Sequence, residues 1–402
     1  MSELTRVAGA LAAAGRSRQP SVLATVVRTE GSTYRRIGAR MVLVADGTRV
    51  GAVSAGCVEH DVVVRADGIS ASGVPEVVRY DTRSPDDLVW GFGLGCGGLV
   101  EVLLEPLTPT DAALKASRLA RVADTRQQIL LTTIIRAPAD EGHVRPGDQA
   151  VLRVAGGTLD GLEGPFHADL EQVARQVLRS GRSVTVSHPW KNEAIDAVYE
   201  IIVPRVRIAV CGAGVDAIPV VAAARRLDWH ITLIDDRPAM AAAHRWPEAD
   251  RIIVPLPAGI AKGVAELEVE AAIIMSHNFE RDADFLEGWL SSAARYVGVM
   301  GPRHRTEALV ETLRSRGAPI DATARERIHG PVGLDIGAES PEEIALAIVA
   351  EVQAAHAGRT GQSLAERQLR EVGGDAEVPP LPVGFDPRQI IPFGGMNGVA
   401  AE

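Results

Sequence analysis

Residues 206–236 set the strongest constraint on how this chain can fold. A short apolar run at 206–210 leads into Cys211-Gly212-Ala213-Gly214-Val215-Asp216-Ala217. A helical run follows at 218–227, then a second apolar run at 230–234 that closes on Asp235-Asp236-Arg237. The pattern is Gly-x-Gly-x-x-Ala between a strand and a helix, with an acidic residue about twenty positions further on. Gly212 and Gly214 allow a tight turn and close approach of a pyrophosphate. The small Ala217 lets helix and strand pack closely. The helix N-terminus then faces the anion, and Asp235 is placed for an adenosine ribose, which favours NAD over NADP.

The alternation continues beyond that unit. Apolar runs at 251–254, 271–275 and 296–300 are separated by helical spacing such as that of 282–290. Strands alternating with helices predict a parallel sheet of right-handed βαβ units. Ligands of such sheets bind beyond the carboxyl ends of the strands. Gly212, Asp235, His277 and Arg303 all fall at those ends. His277 is therefore a candidate proton donor beside its ordinary alternative, a hydrogen-bonded structural histidine. Ser340-Pro341-Glu342-Glu343 reads as a capping box opening a last helix, 344–354.

The first half reads differently. Residues 30–59 begin with a Gly-Ser-Thr turn carrying Arg35, Arg36 and Arg40, and end in Ser54-Ala55-Gly56-Cys57 and Glu59. Apolar runs at 41–44 and 50–53 flank Asp46-Gly47, a β-hairpin signal. The hairpin would bring the arginine loop and the Cys57 loop to one end. A second glycine-rich loop, Gly91-Phe92-Gly93-Leu94-Gly95-Cys96-Gly97-Gly98, runs into an apolar segment at 99–104. Further strands are expected at 21–28, 76–80, 128–135, 149–154, 183–186 and 198–203, with helices at 4–14, from about Glu59, and at 169–180. Residues 106–109 read as the end of a unit. The expected class is α/β: an N-terminal α+β cysteine-loop domain (1–204, one or two lobes), a Rossmann-like parallel-sheet domain (205–357), and a partly flexible C-terminal tail (358–402) rich in Gly and Pro from 372.

Composition narrows the function. A net charge of −10 and a pI near 5.6 argue against broad nucleic-acid binding. Three cysteines in 402 residues do not make a disulfide framework. No apolar run is long enough to span a bilayer, and the N-terminus lacks the pattern of a signal peptide. A reducing, cytoplasmic setting is the expectation. Cys57 and Cys96, each in a glycine-rich loop, are candidate reactive thiols and soft metal or sulfur ligands, against the alternative of small apolar fillers. Cys211 reads as core. The arginines are candidate phosphate forks, against a solvated surface run.

Several motifs occur in one order: GSTYRRIGARMVLVADG, SAGCVE, GLGCGGLVEVLLEPL, the Gly-x-Gly turn, MSHNFERDADFL, YVGVMGPRHR and GPVGLDIGAESPEEIALAIVAEV. Over roughly residues 21–351 the chain resembles the xanthine dehydrogenase accessory (XdhC/CoxI) family. The resemblance implies a factor that binds molybdenum cofactor, as molybdopterin or its dinucleotide, assists its sulfuration, and inserts it into a xanthine or carbon monoxide dehydrogenase. It implies an apo molybdenum hydroxylase and a cysteine desulfurase as partners, and a homo-oligomer, a dimer. On that reading Cys57 and Cys96 approach the metal or its sulfur. Arg35, Arg36 and Arg40, with the backbone of Gly56, Gly95 and Gly97, hold the phosphate end. Gly212, Gly214, Asp235 and Arg303 take NAD(P) or another nucleotide. Two other readings stay open: an NAD(P)-dependent oxidoreductase using His277, and a nucleotide-gated interaction module.

Overall fold

The computed structural model describes residues 3–56, 58–81, 83, 98–138, 144–153 and 157–365. They fall into two compact units, residues 3–204 and 205–365.

The first unit opens with helix α1 (Glu3–Arg16). Strands β1 (Ser21–Gly31), β2 (Arg40–Val44) and β3 (Arg49–Gly51) follow, then α2 (Glu59–Ser72), β4 (Glu76–Asp81) and β5 (Gly98–Leu107). The five strands form one antiparallel sheet in the order β3-β2-β1-β5-β4. Strand β1 is buried on both faces from Ser21 to Val27. Its alternation explains why. Val22, Ala24 and Val26 face α2 with Val102 and Leu104, while Leu23 joins Val7, Leu11 and Val42 on the other face.

Helix α3 (Pro109–Ala123) comes next. The expectation that residues 106–109 close the unit overlooked it. Its signal is local: Thr108, Pro109 and Asp111 form a reciprocal capping box with proline in the first turn. It packs beside α1 through Ala112, Ala116 and Leu119. The remaining strands are β6 (Ile129–Arg136), β7 (Gln149–Arg153), β8 (Val184–Trp190) and β9 (Glu193–Ile202), with α4 (His167–Ser180) between β7 and β8. They make a second antiparallel sheet, β7-β6-β9-β8, with α4 packed on it. Val27 and Leu103 of the first sheet meet Ile135 and Val198 of the second in one small core.

The second unit alternates regularly. It runs β10 (Arg207–Cys211), α5 (Ala217–Arg226), β11 (His230–Ile234), β12 (Arg251–Ile253), α6 (Ile260–Ala265) and β13 (Ala271–Ile274). Then come α7 (Phe279–Leu290), β14 (Tyr296–Val299), α8 (Arg303–Ser315), α9 (Ala322–Glu326), β15 (Ile328–His329) and α10 (Pro341–His356). The six strands are all parallel, in the order β12-β11-β10-β13-β14-β15. Both faces are covered, as parallel sheets require. Ile208 and Val210 face α5 and α10, while Ala209 and Cys211 face α6, α7 and α8. Numbered within the unit, the order is 3-2-1-4-5-6, and its direction of winding reverses between β10 and β13. The capping box of α10 is formed by Ser340 and Glu343. No helix among the described residues is long and apolar enough to cross a membrane.

Candidate functional site

In the first unit, strand registers bring the strand ends that flank three connections to one end of the five-stranded sheet. Gly31 pairs with Gly98, Glu30 with Leu99, and Met41 with Gly51. The carboxyl ends of β1, β3 and β4 and the amino ends of β2 and β5 therefore share that end. The arginine loop (32–39), the loop after β3 (52–58) and the segment between β4 and β5 (82–97) all leave from it. Glycine is required where two of them meet: a Cβ on Gly98 would lie 2.2 Å from the Ser32 carbonyl oxygen. Arg83 fixes the exit of β4 through Glu30 Oε2 at 2.7 Å and Asp81. Cys57, Cys96, Gly95 and Gly97 lie outside the described residues. Gly56 is exposed, at φ 111°.

The loop that carries Cys57 is wound around one carboxylate. Glu59 accepts from Ser54 N at 2.7 Å, from Gly56 N at 3.0 Å and from Ser54 Oγ. Burial pushes the Glu59 carboxyl up, but the Ser54 and Gly56 bonds outweigh it, and its pKa falls below the ordinary carboxylate value. Glu59 is thus more than the first residue of a helix.

The three arginines have different fates. Arg40 is 2% exposed, so it is not part of a solvated run. Its Nη1 donates to Glu200 Oε1 at 3.0 Å and to Gly38 O at 2.6 Å, and Nη2 donates to Glu200 Oε2. Burial opposes the charge, and Glu200 more than offsets it, so the Arg40 pKa rises. Gly38 serves this pair, since a Cβ there would meet Glu200 Oε1 at 2.1 Å. Arg35 pairs with Glu3 at the start of α1, and the same carboxylate accepts from Arg40 N at 3.2 Å. Arg36 is exposed and has no ion pair among the described residues. Sequence reading missed Glu3 and Glu200. Neither carries a local signal, because each meets its arginine only through the fold.

In the second unit the Gly-x-Gly turn lies at the carboxyl end of β10, beside the loop after β13. Gly212, at φ 122°, is needed for that contact: a Cβ would lie 2.4 Å from Met275 O and 2.8 Å from Ser276 Cα. His277, also left-handed at φ 60°, reaches back across the switch point. Its Nε2 is 2.7 Å from Asp216 Oδ2. Gly214 is crowded differently, since a Cβ there would meet the Asp216 side chain at 2.4 Å. Asp216 precedes α5 but makes no side-chain cap bond.

Asp235 sits at the end of β11 as the spacing predicts, but its carboxylate is engaged. It is 2% exposed, accepts from Ala213 N at 2.7 Å, and pairs with Arg237 at 2.7 Å. Burial raises its pKa, and the bonds from Arg237 and Ala213 lower it further than that, leaving it below the usual carboxylate value. Asp236 pairs with Arg281 at 2.7 Å. Arg303 is on the same edge of the sheet, exposed and paired with Glu307 on its own helix at 3.1 Å. The arginine drawn inward is Arg305, 2.8 Å from buried Asp282, which accepts from Ser276 Oγ at 2.5 Å. Cys211 is fully buried, takes a bond from Trp289 Nε1 at 3.2 Å, and has its pKa pushed up by burial. It is core, as expected. No group of three or more metal-ligating side chains occurs among the described residues.

Known proteins align with both units. Residues 208–352 match the model of the XdhC Rossmann domain, and residues 14–81 match that of the XdhC and CoxI family. A Bacillus subtilis protein named as a probable subunit of xanthine dehydrogenase is 30% identical over 337 residues, 83% of this chain and 93% of that one. The Escherichia coli molybdenum cofactor insertion chaperone PaoD is 23% identical over 342 residues, 84% of this chain and 83% of its own. A crystal structure described as a xanthine dehydrogenase from Bacillus halodurans superposes with a TM-score of 0.67 at 29% identity, covering 91% of this chain and 99% of that one. With a relative of that identity spanned almost end to end, and the Rossmann sheet wound in the order the motif predicts, this chain belongs to the XdhC and CoxI family.

Proposed function

We propose that this protein is a maturation factor for a molybdenum hydroxylase of the xanthine or carbon monoxide dehydrogenase type. It holds molybdenum cofactor as cargo while the terminal sulfur is installed, then delivers it to the apo-enzyme. The observation that supports this reading is that the strand ends flanking the arginine loop and the two cysteine-bearing segments lie at one end of the five-stranded sheet. Thiolates are soft ligands suited to molybdenum or a persulfide sulfur. Guanidinium groups suit the phosphate or pyrophosphate of the pterin. The relatives support the same reading, since one of them is named as a molybdenum cofactor insertion chaperone.

In this proposal Cys57 and Cys96 touch the metal or its sulfur. The loop amides of Gly56, Gly95 and Gly97 hold the anionic end together with Arg36, since Arg35 and Arg40 are already paired with Glu3 and Glu200. The Rossmann crevice takes a nucleotide, either the cofactor's own or NAD(P). A cysteine desulfurase supplies sulfur, the working form is a dimer, and the setting is cytoplasmic. The protein is a carrier and has no turnover of its own.

The test is purification from cells that make the cofactor. Molybdenum and pterin should co-purify one to one with the protein. Cys57→Ser and Cys96→Ser, each confirmed as folded, should lower both bound molybdenum and activation of a partner apo-hydroxylase. If both variants hold cofactor and activate like the wild type, the thiols have no role. If no molybdenum is bound by the wild type, the carrier reading fails.

A further inference from the structure

A cleft of about 470 Å³ opens between the arginine loop, the start of α1 and the end of β9. Its size falls in the range of small-ligand sites, about 300–1,000 Å³. Three side chains suggest what it takes. Arg40 lines it and is almost wholly buried, its guanidinium held by Glu200 and the Gly38 carbonyl. Arg36 on the rim is the cation without an ion pair among the described residues, while Arg35 and Arg40 are held by Glu3 and Glu200. Tyr34, 74% exposed on the same rim, offers a ring to a flat ligand. The bound arginines and their carboxylates cancel, so among the described residues Arg36 supplies the cleft's uncompensated positive charge.

We propose that this cleft is a subsite for the phosphate monoester of a planar heterocycle. Arg36 takes the phosphate and Tyr34 stacks on the ring. Arg40 and Glu200, held to each other, form the rigid floor. The proposal rests on the cofactor-carrier reading for the identity of its ligand, and adds to it a division of labour. Phosphate and ring are read here, and the thiol segments are left to the metal end. A pterin monophosphate and a purine mononucleotide share this chemistry.

The experiment is calorimetry on the full chain purified without cofactor, with inorganic phosphate, guanosine, GMP and a pterin monophosphate as probes. GMP or the pterin phosphate should bind more tightly than phosphate or guanosine alone, and less tightly in added salt. Arg36→Ala should weaken both phosphate esters by roughly tenfold, as loss of a charged hydrogen bond does. Tyr34→Ala should weaken them by about fivefold, in the range of a lost stacking contact, and leave inorganic phosphate unchanged. The Rossmann variant Gly214→Val should leave cleft binding as it was, which separates the two sites. A stronger response to the pterin ester than to GMP assigns the pterin as ligand, and the reverse assigns a nucleotide. If Arg36→Ala and Tyr34→Ala bind every probe like the wild type, the cleft is no such subsite. Molybdenum retention is measured separately. If it persists while cleft binding is absent, only the subsite fails; if it is absent while Arg36-dependent binding holds, only the carrier reading fails.

Discussion

His277 Nε2 and Asp216 Oδ2 stand 2.7 Å apart, joining the loop after β13 to the Gly-x-Gly turn after β10. This pair bridges the two loops at the point where the sheet reverses its winding, and it puts a carboxylate beside Gly214. A nucleotide phosphate arriving at the N-terminus of α5 meets that negative charge first. Asp216→Asn should therefore raise nucleotide affinity about two- to fivefold, the scale of one charge at a helix terminus. Calorimetry with NAD and with cytidine and guanosine nucleotides checks it. An unchanged or lower affinity in the variant would mean that the carboxylate does not oppose the ligand.

The two glycines of the turn should respond differently to substitution. Gly212→Ala meets the Met275 carbonyl and a positive φ, so it should destabilise the second unit by roughly 1–3 kcal/mol. Gly214→Ala meets only the movable Asp216 side chain and should cost far less. Thermal unfolding of both variants decides this. Equal losses would show that the contact with Met275 is not what Gly212 is there for.

Breaking the Arg40–Glu200 pair should be expensive. Glu200→Ala leaves a buried guanidinium with its carboxylate gone, which costs about 3–5 kcal/mol for buried pairs of this kind. Arg40→Met with Glu200→Leu should restore much of the loss, because no lone charge remains. Denaturant midpoints of the single and double variants give the comparison, and a double variant no better than Glu200→Ala alone refutes it.

Glu59 links pH to the order of the Cys57 loop. Its folded pKa lies below the ordinary value, so its stabilisation is present above the unfolded pKa and is lost as pH falls through the folded one. Wild-type stability should therefore drop on acidification through and below the ordinary carboxylate range. Glu59→Gln should be less stable at neutral pH by about 1 kcal/mol, the scale of one hydrogen bond, and should show a shallower acid dependence. Parallel pH profiles for the two proteins would remove Glu59 from this role.

What the sequence determined by itself is whatever short-range chemistry decides. The strand–turn–helix at 206–236 could be read because glycine spacing, an apolar strand and a following acid are all local. The Ser340 capping box was legible for the same reason, and the equivalent signal at Thr108–Asp111, overlooked, stood beside α3. A β-branched apolar run gave β1, and Asp46-Gly47 between two apolar runs gave the hairpin. The tertiary structure alone decided which charges are spent. Arg40 and Glu200 are 160 positions apart, and Asp216 and His277 are 61 apart. Nothing in a run of three arginines tells which is buried, which is tethered to Glu3 and which has no ion pair among the described residues. Likewise, the acid at the end of β11 is visible in the spacing, but not that Ala213 and Arg237 already occupy it. The physical reason is that a charge takes its role from the partner packed against it, and chain folding, not spacing, chooses that partner.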